Sequence, residues 1–388
     1  MKNTFSIVRL FALIVGAIAT SWSTARAEEP AKSEKTLPFL IGGFSDGIYA
    51  SRLNLADGSM EKPSRLAEVY HPSFFCLHPK LDIVYSVTET MQKDAEHPAT
   101  ITAFKLDRQK MTLTKLNAQP VTGDIPCYVS TDAEGKFALI ANYTSGSVAV
   151  YPIAESGELK PASDVVQHKK GSGPNASRQD GPHAHSILMD PSGRWVVAAD
   201  LGLDQVLVYS LDHSTGKLKP APTPYFTLPP GSGPRHVTFH PNGKLAFVIN
   251  ELASTLTSAK WDSDKGVFTT VETASTVMGT VPEGNTTAEV LVHPNGKFVY
   301  GSNRGHDSIA MFSVDEKSGA IKLLGNCSTG GKTPRNFRID PTGGYLLAEN
   351  QTTHTIRALK IDSATGLLSD SGQSIEQQAP ACIKFIGR

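Results

Sequence analysis

The chain has 388 residues, of which 37 are basic and 37 acidic, and charged residues make up 19% of it. That length could hold two or three ordinary domains, yet no linker or compositional break divides it. Balanced charge gives no electrostatic case for nucleic acid or an anionic membrane, so the expected partner is a small soluble molecule.

Lys2 and Arg9 precede an apolar run from Leu10 to Ala19, and Ala25-Arg26-Ala27 has the small-x-small form of a cleavage site. Residues 1–27 are therefore read as a signal peptide and residues 28–36 as a mobile leader. Residues 37–388 are read as one domain, exported to the periplasm or the cell exterior. The apolar run is short for a membrane span and no second one follows, so no membrane contact is expected after cleavage. Cys76, Cys127 and Cys382 fall inside short apolar runs, where a small hydrophobe is wanted, and free thiols are expected.

Phe39 to Phe44 and Gly47 to Leu55 read as the second and third strands of a sheet whose first strand is missing. One phrase then recurs six times: His-Pro or Asp-Pro (once Asp-Ala), a Gly-centred turn, and two apolar runs separated by polar residues. The dipeptides begin at His78, Asp132, Asp190, His240, His293 and Asp340, 47 to 58 residues apart. A period near fifty marks a radial β-repeat, each unit a small sheet that cannot bury both faces alone. Between Pro234 and Asp262, for example, Arg235 to Phe239, Leu245 to Ile249 and Thr255 to Lys260 read as successive strands before a fourth. The tail Pro380-Ala-Cys-Ile-Lys-Phe385 resembles Pro334-Arg-Asn-Phe-Arg-Ile339 and supplies the strand missing at the N-terminus. The expected fold is an all-β, seven-bladed β-propeller, its ring closed by a C-terminal strand that joins the N-terminal blade and leaves no open edge.

Antiparallel neighbours place the start of each first strand and the end of each second strand at one face of the disc. The first column reads Ser73, Cys127, His185, Arg235, Ala288, Arg335 and Ala381. The second reads Thr88-Glu89, Asn142-Tyr143, Asp200-Leu201, Asn250-Glu251, Asn303-Arg304 and Asn350-Gln351. His185, Asp200, Arg235, His236, Glu251, Arg304 and Arg335 thus ring one mouth of the central channel, with His183 on the same strand as His185. Ala288 and Gly42-Gly43 leave two gaps in that ring, read as a candidate entrance for ligand. Converging guanidinium groups favour an anionic or strongly polarised substrate. The asparagine column is expected to hold loops, and His78, His240 and His293 to be structural turn residues. Gly171-Ser-Gly-Pro174 and Gly231-Ser-Gly-Pro234 precede no helix, no Gly-x-Ser-x-Gly elbow occurs, and His183-Ala-His185 lacks an obvious third metal ligand. No cofactor or metal is expected.

Five ordered motifs carry a resemblance: Gly181-Pro-His-Ala-His185, Asp200-Leu-Gly202, Gly233-Pro-Arg-His236 with Asn250-Glu-Leu252, Ser302-Asn-Arg-Gly-His-Asp-Ser308, and Gly331-Lys-Thr-Pro-Arg-Asn-Phe337. They resemble the seven-bladed lactonase family, which includes propeller-type 6-phosphogluconolactonases and carboxy-cis,cis-muconate lactonizing enzymes. The resemblance implies a metal-independent enzyme that opens or closes a lactone ring with a His, a Glu and arginines on one face. The family roles fall on His185, Glu251 and Arg235 as catalytic residues. Arg304, Arg335, Asp200, His236 and His183 are the expected substrate-binding residues. Glu251 or His185 is expected as the base that activates water, with arginines holding the oxyanion or an acidic substituent. Glu251→Gln is expected to slow turnover while leaving the fold intact. The family also implies that the scaffold can run the cyclising direction. A further alternative is a non-catalytic exported propeller that binds carbohydrate or protein. An exported chain suits an unphosphorylated sugar lactone or another acid lactone better than a cytosolic phosphosugar.

Overall fold

The computed structural model describes residues 36–386. The expected signal peptide and all of the leader but Thr36 lie outside the described residues. Within them, 28 strands form seven four-stranded antiparallel sheets, with one short 3₁₀ turn, Leu201–Leu203, and no α-helix. The first strands of blades 2 to 7 are Phe75–Leu77, Pro126–Thr131, Ala184–Met189, Pro234–Phe239, Thr286–Val292 and Pro334–Ile339. Blade 1 takes its first strand, Pro380–Phe385, from the other end of the chain; it pairs with Thr36–Gly43, setting Phe39 opposite Phe385 and Ile41 opposite Ile383. Each first strand touches the first strands of both neighbours, so the ring is closed.

Burial follows from this stacking. A second strand is covered by blades on both sides and reads as a continuous apolar run: Leu245–Asn250 and Phe137–Asn142 are buried at every residue. Fourth strands such as Val267–Ser275 lie at the rim and are largely solvated. Between blades 4 and 5, Val197, Val206, Ala246, Val248 and Trp261 pack in one cluster. Each such aliphatic side chain contributes about 1.5–3 kcal/mol.

The recurring His-Pro and Asp-Pro turns lie at the face opposite the two columns and work as expected. His78, His240 and His293 each direct Nε2 to a glycine carbonyl in the next blade (Gly135, Gly296 and Gly343, at 3.0, 2.8 and 3.0 Å). The same rings accept backbone N–H groups of their own turns through Nδ1. A Cβ at Gly135, whose φ is +73°, would stand 2.3 Å from the His78 ring, so this close approach requires glycine. Aspartate at the same place bonds its own turn, as Asp132 does to the N–H groups of Lys136 and Phe137.

Candidate functional site

Six of the seven first strands carry a β-bulge at the position of the first column. Ala184 faces Asp200 and Ser186 faces Ala199, which leaves His185 without a partner; Cys127, Arg235, Arg335 and Ala381 are skipped in the same way, and blade 6 skips both Ala288 and Glu289. A bulge re-aims its side chain, and here it turns the column into the channel. The residue two positions before the column is often left-handed: His71, Ile125, Gly233, Thr333 and Ala379 have φ between 35° and 62°. In that conformation its carbonyl accepts the N–H of a residue just beyond the second strand of its sheet, as His71 does from Glu89, Ile125 from Tyr143, Gly233 from Glu251 and Ala379 from Phe44. Bulge and strand end are thereby tied together blade after blade.

These two positions line one cavity of ≈ 330 Å³, at the lower end of small-molecule sites. Cys127, His185 and Arg335 come from the bulges; Glu89, Tyr143, Glu251 and Arg304 come from the strand ends. Arg178 alone comes from outside the repeat. Its loop is pinned by the buried Gln179, whose side-chain amide donates to Leu201 O and Asp204 Oδ1. Arg178 then reaches across to Tyr143 Oη at 2.8 Å and Glu251 Oε1 at 2.6 Å.

Glu251 is the electrostatic hub. Besides Arg178, Arg235 Nε and Arg304 Nη2 each approach Oε2 at 3.0 Å, as ion pairs rather than aligned hydrogen bonds. Burial opposes its charge, but Arg304, Arg235 and Arg178 together overcome that and hold the carboxyl down at about 2. Glu89 contrasts with it: burial pushes its carboxyl up, against Arg335, whose nearest nitrogen is 3.8 Å away. Burial, then Arg235, His236 and Arg335, hold His185 well below the usual histidine range, so its ring is neutral near pH 7. Its Nδ1 lies 3.7 Å from Cys127 Sγ, a thiol that burial keeps protonated. Arg235 is pushed down to about 9 by burial and by Arg304 and Arg335, yet stays charged at neutral pH. With four arginines facing two carboxyls, the cavity keeps a positive excess.

The structure therefore gathers His185, Glu251, Arg304 and Arg335 around one cavity, with Arg235 directly behind Glu251. Three other expected substrate-binding residues lie elsewhere. Asp200 is fully buried: Oδ2 meets His168 Nδ1 at 2.6 Å, and Oδ1 accepts the N–H groups of His183, Gly202 and Leu203. It caps a turn and has no carboxylate oxygen free for ligand. His236 sits deeper in the channel, paired through Nδ1 with Glu289 Oε1 at 2.9 Å. His183 stacks behind Tyr143, ring centroids 4.7 Å apart, and directs Nδ1 to the Tyr143 carbonyl.

The expected entrance is also overturned. A Cβ on Gly42 or Gly43 would lie 2.2 Å from the Pro72 or Ala379 carbonyl oxygen, so these glycines admit backbone rather than ligand. Ala288 is fully buried and its carbonyl accepts Arg235 Nη1 at 2.8 Å. The asparagine column works partly through hydroxyls: Asn142, Asn250, Asn303 and Asn350 each donate to a Ser or Thr five residues on, closing the turn to the third strand. All four cysteines are free thiols. Among the described residues, no cluster of three or more His, Cys, Asp or Glu side chains is placed to hold a metal ion.

A closed propeller with a recessed, arginine-rich mouth, two glutamates of opposed acidity and a neutral histidine has the layout of a small-molecule site. The chain belongs to the lactonase family of seven-bladed β-propellers, whose family model matches residues 38–385. It is 34% identical over 344 residues to a 6-phosphogluconolactonase of Bacillus subtilis, covering 89% of this chain and 95% of that one. A second 6-phosphogluconolactonase, from Formosa agariphila, is 31% identical over 86% of this chain and 95% of its own. Among solved structures, a periplasmic gluconolactonase of Pseudomonas aeruginosa is 28% identical with a TM-score of 0.85, covering 91% of this chain and 99% of that one.

Proposed function

We propose that the chain hydrolyses sugar lactones at this mouth, and that its physiological substrate is an unphosphorylated aldonolactone met outside the cytoplasm. The observation that carries the reading is the convergence of Arg304, Arg335 and the neutral His185 on one recessed cavity with a positive excess. Water attacking the lactone carbonyl places negative charge on its oxygen, and pre-positioned guanidinium groups stabilise that charge best. Arg335, Arg304 and Arg178 all line the cavity. His185, already neutral, takes the proton of the attacking water. Glu251, held at about 2, is a weak base near pH 7 and serves instead as the anion that fixes Arg178, Arg235 and Arg304 in place.

Two features support the compartment. The N-terminal sequence has the form of a secretory leader, and a similar solved protein is a periplasmic gluconolactonase. The related 6-phosphogluconolactonases support the reaction class and make the phosphorylated lactone the natural comparison. The test is acid release from glucono-1,5-lactone and its 6-phospho form, followed in a pH-stat with purified mature chain. Release well above the spontaneous rate, with higher kcat/KM on the unphosphorylated lactone, is expected. Rates at the spontaneous level on every lactone would reject the reading.

A further inference from the structure

The lactone reading requires two proton transfers, and His185 supplies one. We infer that Glu89 supplies the other, donating a proton to the ring oxygen as it leaves the carbonyl carbon. The inference rests on the hydrolytic reading above and goes further by assigning a catalytic residue.

Glu89 follows the second strand of blade 2, Ile83–Val87, in the column position that Glu251 occupies in blade 5, and its backbone N–H is fixed on His71 O at 3.1 Å. Its side chain is buried and borders both the main cavity and the narrow recess beneath it, which Ser73, Cys127, Arg235 and Arg335 also line. Arg335 and the Ser73 hydroxyl stand beside its carboxyl, and Ser73 Oγ makes no aligned hydrogen bond to it or to any other group among the described residues. Buried polar groups in folded proteins are rarely left without partners, and a carboxyl open to a cavity is placed to meet a ligand. Arg335 at 3.8 Å keeps it in place without neutralising it as three guanidiniums neutralise Glu251. The other titratable groups that line these two cavities bring three more cations, Arg178, Arg235 and Arg304, one anion, Glu251, and groups neutral near pH 7 such as Cys127 and His185. Two carboxyls whose surroundings push their acidities apart mark a division of labour in which the one whose charge burial disfavours acts as the acid.

The step balances. Water oxygen bonds to the carbonyl carbon while one of its protons passes to His185. The ring C–O bond then breaks, its electron pair stays on oxygen, and Glu89 protonates that oxygen to give the hydroxyl. The product is a hydroxy acid that loses its proton to solvent, and the proton on His185 returns through water to Glu89.

The experiment compares two leaving groups. Protonation matters most when the departing oxygen is a poor leaving group, so Glu89→Gln should lower kcat on glucono-1,5-lactone about 10²-fold or more. On an aryl lactone such as dihydrocoumarin, whose phenoxide departs without help, the loss should stay under about ten-fold. The alkaline limb of kcat/KM, set by ionisation of Glu89, should vanish in Glu89→Gln and persist in Glu89→Asp. Full activity in a folded Glu89→Gln, or equal losses on both lactones, would overturn the inference and leave the lactonase reading standing. Inactivity of the wild-type chain on all lactones would remove the reading itself. If Glu89→Gln fails to fold, the wild-type dependence of kcat on leaving-group acidity decides: a weak dependence supports proton donation, a steep one contradicts it.

Discussion

The two mouths of the channel use the same repeat for different ends. At the turn face, a His or Asp recurring in every copy locks each hairpin, and the histidines also clamp the adjacent blade. At the bulge face the residue type changes from blade to blade, Cys127, His185, Arg235, Ala288, Arg335, while the backbone geometry repeats. Position-by-position identity marks the face that holds the ring together. Divergence within one backbone frame marks the face that meets a ligand. The turn-side mouth has a cavity too, ≈ 510 Å³, bordered by Arg338 and Lys384, but its walls are mainly aliphatic and its lining lacks a glutamate or histidine.

The contrast is sharpest at Glu251. Replacing it by Gln leaves Arg178, Arg235 and Arg304 facing one another without their shared anion. Breaking a buried ion pair from one side costs about 3–5 kcal/mol, so the fold will not remain as intact as the sequence alone suggests. Chemical denaturation should show that loss, and kcat/KM should fall by at least about 10²-fold. Arg335→Ala separates the mouths more cleanly. It should lower kcat/KM on a sugar lactone by about 10²–10³-fold with the melting temperature nearly unchanged, whereas Arg338→Ala at the other mouth should leave kcat/KM within about two-fold. Equal activity losses from the two arginines would dissolve the distinction.

His240→Ala tests the turn face. It removes the clamp to Gly296 O and should destabilise the protein by about 1–3 kcal/mol while kcat/KM of the folded fraction stays at the wild-type value. Glu349, deep in the channel wall, has neither carboxyl oxygen hydrogen-bonded among the described residues, and burial pushes its carboxyl well above the ordinary carboxylate range. A group raised in the folded state destabilises it once pH rises above the unfolded value near 4.5. Glu349→Gln should therefore gain about 1 kcal/mol in urea unfolding at pH 8 and little at pH 4. The smallest effect is on the acid limb of activity. His185 is held neutral well below 6.5, so kcat/KM should stay flat from pH 7 down through 6.5 and decline only at lower pH.

Much of this architecture was legible in the residues. The period near fifty, and the likeness of Pro380-Ala-Cys-Ile-Lys-Phe385 to an inner strand, were enough to place the closing blade. The two columns were legible because one backbone frame recurs, and they placed His185, Glu251, Arg304 and Arg335 at one mouth, where the structure has them line a single cavity. Asp200 and His236 misled because a column gives position without partner: His168 and Glu289, distant in sequence, occupy them. Arg178 escaped because it lies on a loop outside the repeat, where spacing carries no information. Glu89 stood in the column without a distinguishing mark, since what sets it apart is a buried carboxyl bordering both the cavity and the recess beneath it, which only three-dimensional packing reveals.

A crystal of the chain soaked with an aldonic acid such as gluconate compares the mouths in one experiment. The acid is expected in the bulge-side cavity, its carboxylate on Arg335 or Arg304 and within reach of His185. An acid seated at the turn-side mouth against Arg338 and Lys384, with the bulge-side cavity empty, would contradict that expectation.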